Sequence, residues 1–541
     1  MPERVSGNPG VPPRPMQTNP IALRRAAVLT AGAAAGYLVV RHLIAVYSGL
    51  DRPIGSDESE YLHAGWLMQQ GLRLYRDFAE NHAPFLFVIL KWMVPTRGTA
   101  AFPLLDLGTY VARARIFASI VGVLGLGALA ALSYRAIGSL VAPLVAIAML
   151  LASPWVWSRA LVEARNDPPA LFFFWLGALL LLGGWPSERR RFALAGIGIG
   201  LVAISAIWNP KWPLESLVLG AYYLAIAWQA FRRGPRMLAM TILPPVVCVI
   251  AALGCIVTTV SLGDYFFFAF RCNKLLTDWI VASRHLTEVT AAALPHGLPY
   301  MFCSPAFKGV WPILAVILVL ALLSIPAMRD RLHGMDVTTL RVLLALAAAA
   351  TLEIRFVYPY PNVWTQYYVM WSFIAAALYG IGAAALLRLL PGDGMRFWAT
   401  VTIAAMAVVA VEQAMPLRPG VRGWPMLSYL QKNLRPGERV WVAPHPIGVR
   451  DAGYYWYNTT ELVPFAIEYT ARHPVETPLP AIIEKELPVC RAERGLQPDL
   501  RYVSGGYFLE AMPEANACLE RMIAAGRAVR TPAAGVWDLH P

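Results

Sequence analysis

Apolar residues run in long blocks through the first 415 positions, and short polar connections separate them. A bilayer crossing needs about 20 mostly apolar residues. The blocks give about eleven spans of that kind, at 26–48, 113–134, 138–153, 168–185, 192–208, 213–230, 237–261, 308–328, 338–352, 365–387 and 396–415. The stretch 84–96, "PFLFVILKWMVP", is too short to cross upright and reads as an interfacial or re-entrant segment.

The polar connections alternate in charge. Arg24/Arg25, Arg135, Arg189–Arg191, Arg232/Arg233/Arg236, Arg329/Arg331 and Arg388/Arg396 fall in every second one. The positive-inside rule makes that side cytoplasmic and puts 49–112, 154–167, 209–212, 262–307, 353–364 and everything after about 416 outside. Residues 1–22 are rich in Pro, Gly and polar residues and read as a disordered cytoplasmic tail. The run after Arg24/Arg25 is too long for a signal-peptide core and reads as a retained anchor. Residues 23–415 then form a transmembrane domain with its first outer loop at 49–112. Residues 416–541 differ: "RVWVAP", "LRYVSGG" and "GVWDLH" read as strands, and "WPMLSYLQKNL" and "ACLERMIAAGRAV" as helices. The expected architecture is a polytopic α-helical membrane protein with a small outer α/β domain and no internal repeat.

Composition agrees. Hydrophobic residues make up 57% of the 541 and charged ones 15%, against roughly a quarter charged in soluble proteins. The net charge of +13 is what basic cytoplasmic loops produce. No zinc-finger spacing, helix-turn-helix region or basic-aromatic run points to nucleic acid. Of the six cysteines, Cys248 and Cys255 lie inside a span, Cys272 and Cys303 share an outer loop, and Cys490 and Cys518 share the outer domain. Outside the cytoplasm each outer pair is either a disulfide or two free thiols.

The candidate chemistry lies on the outer side. In "GSDESEYLHAGWLMQQG" (55–71), Ser56 caps a helix whose first turn carries Asp57, Glu58 and Glu60, an arrangement that suits the helix dipole. Glu60 is explained by that alone. Tyr61, Leu62, Trp66 and Leu67 fit an interfacial face. Asp57, at the helix edge, is placed to project into a cavity as a general base. "YRDFAENHAPF" (75–85) brings Asp77, Glu80 and His82, the last readable as a phosphate contact, a metal ligand or an interfacial polar residue. In "VEARNDPPAL" (162–171), Asn166 or Asp167 caps the next span ahead of Pro168, leaving Glu163 and Arg165 unexplained. "IWNPKWPL" (207–214) sets Lys211 between two tryptophans, as an interface anchor or a headgroup contact. Arg355 and "YPYPNVWTQYY" (358–368) form a further aromatic cluster.

The order of a first span, an outer Asp57-Glu58 loop, a "YRDF-x-E-x-H-x-P" turn, Arg113/Arg115 at the next span and a "VEARNDPPAL" turn resembles the C-type membrane glycosyltransferases. Among these it is similar to the bacterial relatives of the protein O-mannosyltransferases and lipid A aminoarabinose transferases (glycosyltransferase family 39-like). The resemblance covers roughly residues 20–390, and Asp57-Glu58 is its most specific mark. It implies a bacterial inner-membrane enzyme with its site facing the periplasm. Such an enzyme transfers a sugar, with inversion, from a polyprenyl-phosphate carrier to a hydroxyl of an envelope glycolipid, polysaccharide or protein. Asp57 carries over as the base, Glu58 as its partner and Asp167 as the later acid. Lys211, Arg165, His82 and Arg355 are the donor-phosphate candidates. The closer relatives imply no cofactor and no catalytic metal, although Asp77, Glu80 and His82 are residue types that bind divalent ions.

A lipid or glycolipid transporter is the main alternative. It would place ionisable residues mid-membrane on broken helices, often with repeat symmetry, whereas here only Arg41 and His42 stand out inside the first span. A non-catalytic envelope scaffold leaves the acids of the first loop without a purpose.

Overall fold

The computed structural model describes residues 19–50, 54, 56–78, 80–98, 103–209, 212–276, 278, 337–352, 369–415, 425–441, 487–504, 513–533 and 535–539. Seven helices among them are long and apolar enough to cross a membrane. They are α1 (Pro20–Gly49), α4 (Leu107–Ile137), α8 (Glu188–Trp208), α9 (Pro213–Arg233), α10 (Pro235–Thr259), α13 (Val369–Leu389) and α14 (Asp393–Ala414). Three shorter apolar helices are α5 (Val141–Leu151), α7 (Asp167–Leu182) and α12 (Val337–Leu352). Every expected span thus has a helix, except 308–328, which lies outside the described residues.

Local chemistry sets the helix limits. The Asn19 side chain accepts from the N–H of Ile21, with Pro20 in the first turn. Asp106 caps α4 through the N–H of Thr109 at 3.2 Å, and α4 ends at Gly138 in the left-handed region. Ser187 caps α8 through the N–H of Arg190. Small residues let helices approach. A Cβ on Gly177 of α7 would come within 2.6 Å of the Gly198 carbonyl oxygen on α8, so only glycine permits that crossing.

The alternating connections gather at two ends. At one end, Arg135 donates to the carbonyls of Gly183 and Gly184, Arg388 to that of Ile137, Arg24 pairs with Asp393 and Arg233 with Glu188. The basic connections thus hold each other. The other end gathers the C-terminus of α1, the N-terminus of α7 and the C-termini of α8 and α14. There Arg41 pairs with Glu412 at 2.7 Å and donates to the Met415 carbonyl, and Tyr37 donates to Glu412 at 2.5 Å. His42 accepts from the Trp157 indole at 3.0 Å. α13 is the most enclosed span, with 83% of its apolar window buried, as expected of a helix that is apolar all round.

Between α1 and α4, at the second end, lie α2 (Ser56–Gln69), α3 (Phe85–Met93) and the hairpin β1 (Thr96–Gly98) with β2 (Pro103–Leu105). α3 buries Phe85, Leu86, Phe87 and Leu90 and exposes Trp92. Its nine residues reach only about 14 Å, so it does not cross. α6 (Pro154–Leu161) follows α5 after a break at Ser153, and α11 (Leu262–Phe266) runs into a π-helical turn at Phe267–Cys272. The C-terminal part carries α15 (Pro425–Asn433), β3 (Arg439–Trp441), α16 (Pro488–Glu493), β4 (Leu500–Ser504), α17 (Pro513–Ala524), β5 (Val529–Arg530) and β6 (Val536–Asp538). The strands form one sheet in the order β3-β4-β6-β5, parallel at β3–β4 and antiparallel elsewhere. Gln431 of α15 donates to the Leu105 carbonyl of β2 at 3.4 Å, so this lobe sits at the second end too.

Candidate active site

α2 was expected to lie at the interface, yet Glu58 through Met68 are all buried. The helix is clamped between α3 and α4: Tyr110 donates to the Leu62 carbonyl at 2.9 Å, and a Cβ on Gly65 would meet Leu90 Cβ at 2.7 Å. Its polar residues therefore face protein, and each needs a partner.

Glu58 finds Arg115 of α4. The guanidinium grips both carboxylate oxygens, Nε to Oε1 at 2.9 Å and Nη2 to Oε2 at 2.5 Å. Its Nη1 donates to the carbonyls of Gly49 and Leu50 at the end of α1. Glu58 Oε1 also accepts from the backbone N–H of Ala164 at 3.2 Å, across 106 positions of sequence. One buried ion pair thus joins α1, α2, α4 and the turn before α7. Glu58, expected as a catalytic partner of Asp57, is committed to this joint.

The turn 162–167 was expected to cap α7. Asn166 occupies the cap position without a side-chain capping bond; its Oδ1 accepts from the Trp208 indole at 3.2 Å instead. Asp167 accepts from Arg165 Nε at 3.2 Å and from Asn209 Nδ2 at 3.1 Å, both buried with it. Arg165 also lies 3.5 Å from Glu163, which accepts from Ser158 at 2.6 Å. The turn is a side-chain network rather than a cap, and this accounts for Glu163 and Arg165. The 16 residues of α7 rise about 24 Å, less than the roughly 30 Å hydrocarbon core.

The third cluster joins Glu60 to the loop before α3. His82 Nδ1 lies 2.6 Å from Glu80 Oε1 and 3.1 Å from Glu60 Oε1. His82 Nε2 lies 3.1 Å from the Tyr61 hydroxyl. Tyr75, at a left-handed φ of 66°, donates its hydroxyl to the His82 carbonyl and stacks on Phe268. Burial, with Glu80 nearby, pushes the Tyr75 phenol well up. Asn273 donates to the Asn81 carbonyl at 2.8 Å, tying the loop to the segment after the π-helical turn. Sequence reasoning dismissed Glu60 as a dipole effect. The signal that could have found it is the Glu80-x-His82 pair, whose imidazole needs a partner from another element.

No family model matches the chain, and no curated protein matches it. Among solved structures it is similar to the crystal structure of ArnT from Cupriavidus metallidurans bound to undecaprenyl phosphate. The TM-score is 0.42 and the identity 16%, over 89% of this chain and 95% of that one.

Asp57 stands in the first turn of α2, and its side chain lies outside the described residues, as do Lys211, Arg355 and Cys303. Asp77 is exposed and takes bonds from the backbone and side chain of Arg73. Slight burial opposes ionisation there, and the bonds from Arg73 outweigh it, holding the carboxyl below its usual range. Asp77 is thus the local closure of a turn. Of the two readings left open for Cys490 and Cys518, they form a disulfide. Of the other pair, Cys272 is a free thiol, buried on the inner side of the π-helical turn. Burial and the nearby Glu80 push that thiol up to about 12.

Proposed function

We propose that this chain is an inverting glycosyltransferase of the outer, periplasmic membrane face. It moves a sugar from a polyprenyl-phosphate donor to an acceptor hydroxyl, with Asp57 as general base. The observation that carries this reading is the Glu58–Arg115–Ala164 joint. It fixes the first turn of α2, where Asp57 stands, against the acidic turn before α7, although the two are far apart in sequence. Intramembrane charge does not favour a transporter. Arg41 is committed to Glu412 and the Met415 carbonyl, closing a helix seam instead of lining a path.

The chemistry suits one base and several cations. The acceptor O–H gives its proton to Asp57 as its oxygen bonds the anomeric carbon. The bond from that carbon to the phosphate oxygen breaks on the opposite face, and the phosphate leaves with the electron pair. A phosphate monoester needs charge stabilisation more than a general acid, so no second carboxylic acid is required and no cofactor or metal is assigned to the step. Lys211, Arg165 and Arg355 are the proposed donor-phosphate contacts, with Asp167, itself bonded by Asn209, holding Arg165 in place. His82 is left out, because both its ring nitrogens face protein partners.

The test is Asp57→Asn in a transfer assay with membrane-extracted polyprenyl-phosphate sugars. A general base is worth about 10²–10⁴ in rate. The variant should lose that much while expression and thermal melting hold. Transfer at the wild-type rate removes Asp57 from the role.

A further inference from the structure

We propose that Glu60, Glu80 and His82 form a divalent-cation site of the zinc or manganese class. One ligand atom from each lies within 4.8 Å of the others. Two carboxylate oxygens and an imidazole nitrogen are a donor set that borderline divalent ions accept. Bonds of about 2.0–2.2 Å in a tetrahedral shell hold donors roughly 3.3 Å apart. His82 Nδ1 stands 2.6 Å and 3.1 Å from oxygens of the two carboxylates, a little inside that spacing, so an ion would part the donors slightly instead of drawing them together.

The surroundings fix the ligands as a metal site requires. With Nδ1 on the ion, the Nε2–H donates to the Tyr61 oxygen at 3.1 Å, the outer hydrogen bond that orients a ligating imidazole. The Tyr75 hydroxyl holds the His82 carbonyl. Glu80 Oε1 accepts from the N–H groups of Asn81 at 2.8 Å and His82 at 3.1 Å, which aims that carboxylate. Glu60 is 2% exposed and Glu80 1%, so bulk water does not compete. The ion would tie α2 to the loop before α3 and leave a further position for an exogenous oxygen. The site stands apart from the transfer reading, since its readout is metal content rather than activity.

The rival reading is that His82 and the two carboxylates hold one another with no ion between them. The experiment uses full-length protein purified without a histidine tag, stripped with chelator, loaded with Zn²⁺ or Mn²⁺ and gel-filtered. Elemental analysis should find one equivalent retained by the wild type and lost from Glu60→Gln and His82→Ala. Added Zn²⁺ should raise the wild-type melting temperature and leave that of Glu60→Gln unchanged. If the variants fail to fold, X-ray absorption of the Zn²⁺-loaded wild type should report one imidazole nitrogen among oxygen ligands. No stoichiometric metal in the wild type, equal retention by folded variants, or a shell without imidazole overturns the proposal.

Discussion

Glu58 and Arg115 are an ion pair with almost no water: their side chains are 0% and 3% exposed. Removing one partner of such a pair strands the other charge and costs about 3–5 kcal/mol. Glu58→Gln should therefore lower the melting temperature and the yield of folded protein. Glu58→Gln combined with Arg115→Met should recover part of that loss. A proton-transfer role would instead leave stability unchanged and reduce turnover alone, so thermal melting beside the transfer assay separates the two. Cys272 gives a second residue-level test. With its thiol at about 12, maleimide at pH 8 should spare it in the folded protein and label it on unfolding, as peptide mass mapping reads directly. The sequence marked Asp57-Glu58 as unusual but not the fate of Glu58, because its partner is 57 positions away. For Glu60, a local rule about helix dipoles gave a sufficient explanation that tertiary burial then superseded.

At the level of elements, α2 is the informative surprise. Its mixed pattern of acids, tyrosine and tryptophan reads as interfacial, yet α3 and α4 cover it, and Glu58 and Tyr61 find partners inside the protein. Gly65 is where that cover is tightest. Gly65→Ala brings a methyl within 2.6 Å of the Tyr110 hydroxyl and 2.7 Å of Leu90 Cβ, an overpacking worth about 1–3 kcal/mol. Its melting temperature should fall, and its transfer rate with it, because α2 carries Asp57. In the C-terminal lobe, α16 and α17 are held by the Cys490–Cys518 disulfide, which closes a separation of 28 residues. In the chain-entropy account that is roughly 3–4 kcal/mol, so reductant should lower the lobe's melting temperature. Glu493 and Arg521 bridge the same helices. The bond from Arg521 holds the Glu493 carboxyl below its ordinary 4.5. Its contribution is thus full above that value and is lost as pH falls through the lower folded one. Melting of the lobe between pH 6 and pH 3 should show the decline, and Arg521→Ala should flatten it.

For the whole molecule, the spans were legible because length and hydropathy are local quantities, whereas the packing that makes α5 and α7 short was not. Charge alternation anticipated something stronger: Arg135, Arg388, Arg24 and Arg233 meet at one end of the bundle through contacts between separate connections. The three acidic clusters meet at the other. On the positive-inside rule the first end is the one expected to be cytoplasmic, and the proposed reaction requires the second to face the periplasm. Arg76, beside the acidic clusters, and Arg189, at the basic end, are both exposed. Single cysteines there, with Cys248, Cys255 and Cys303 replaced by serine, should separate cleanly. An impermeant maleimide on cells with a permeabilised outer membrane should label Arg76→Cys and spare Arg189→Cys until the inner membrane is opened. The opposite pattern would put the acidic end in the cytoplasm. A donor and acceptor presented at the outer leaflet could not reach it there, so transfer on that face would be excluded whatever the chemistry of Asp57.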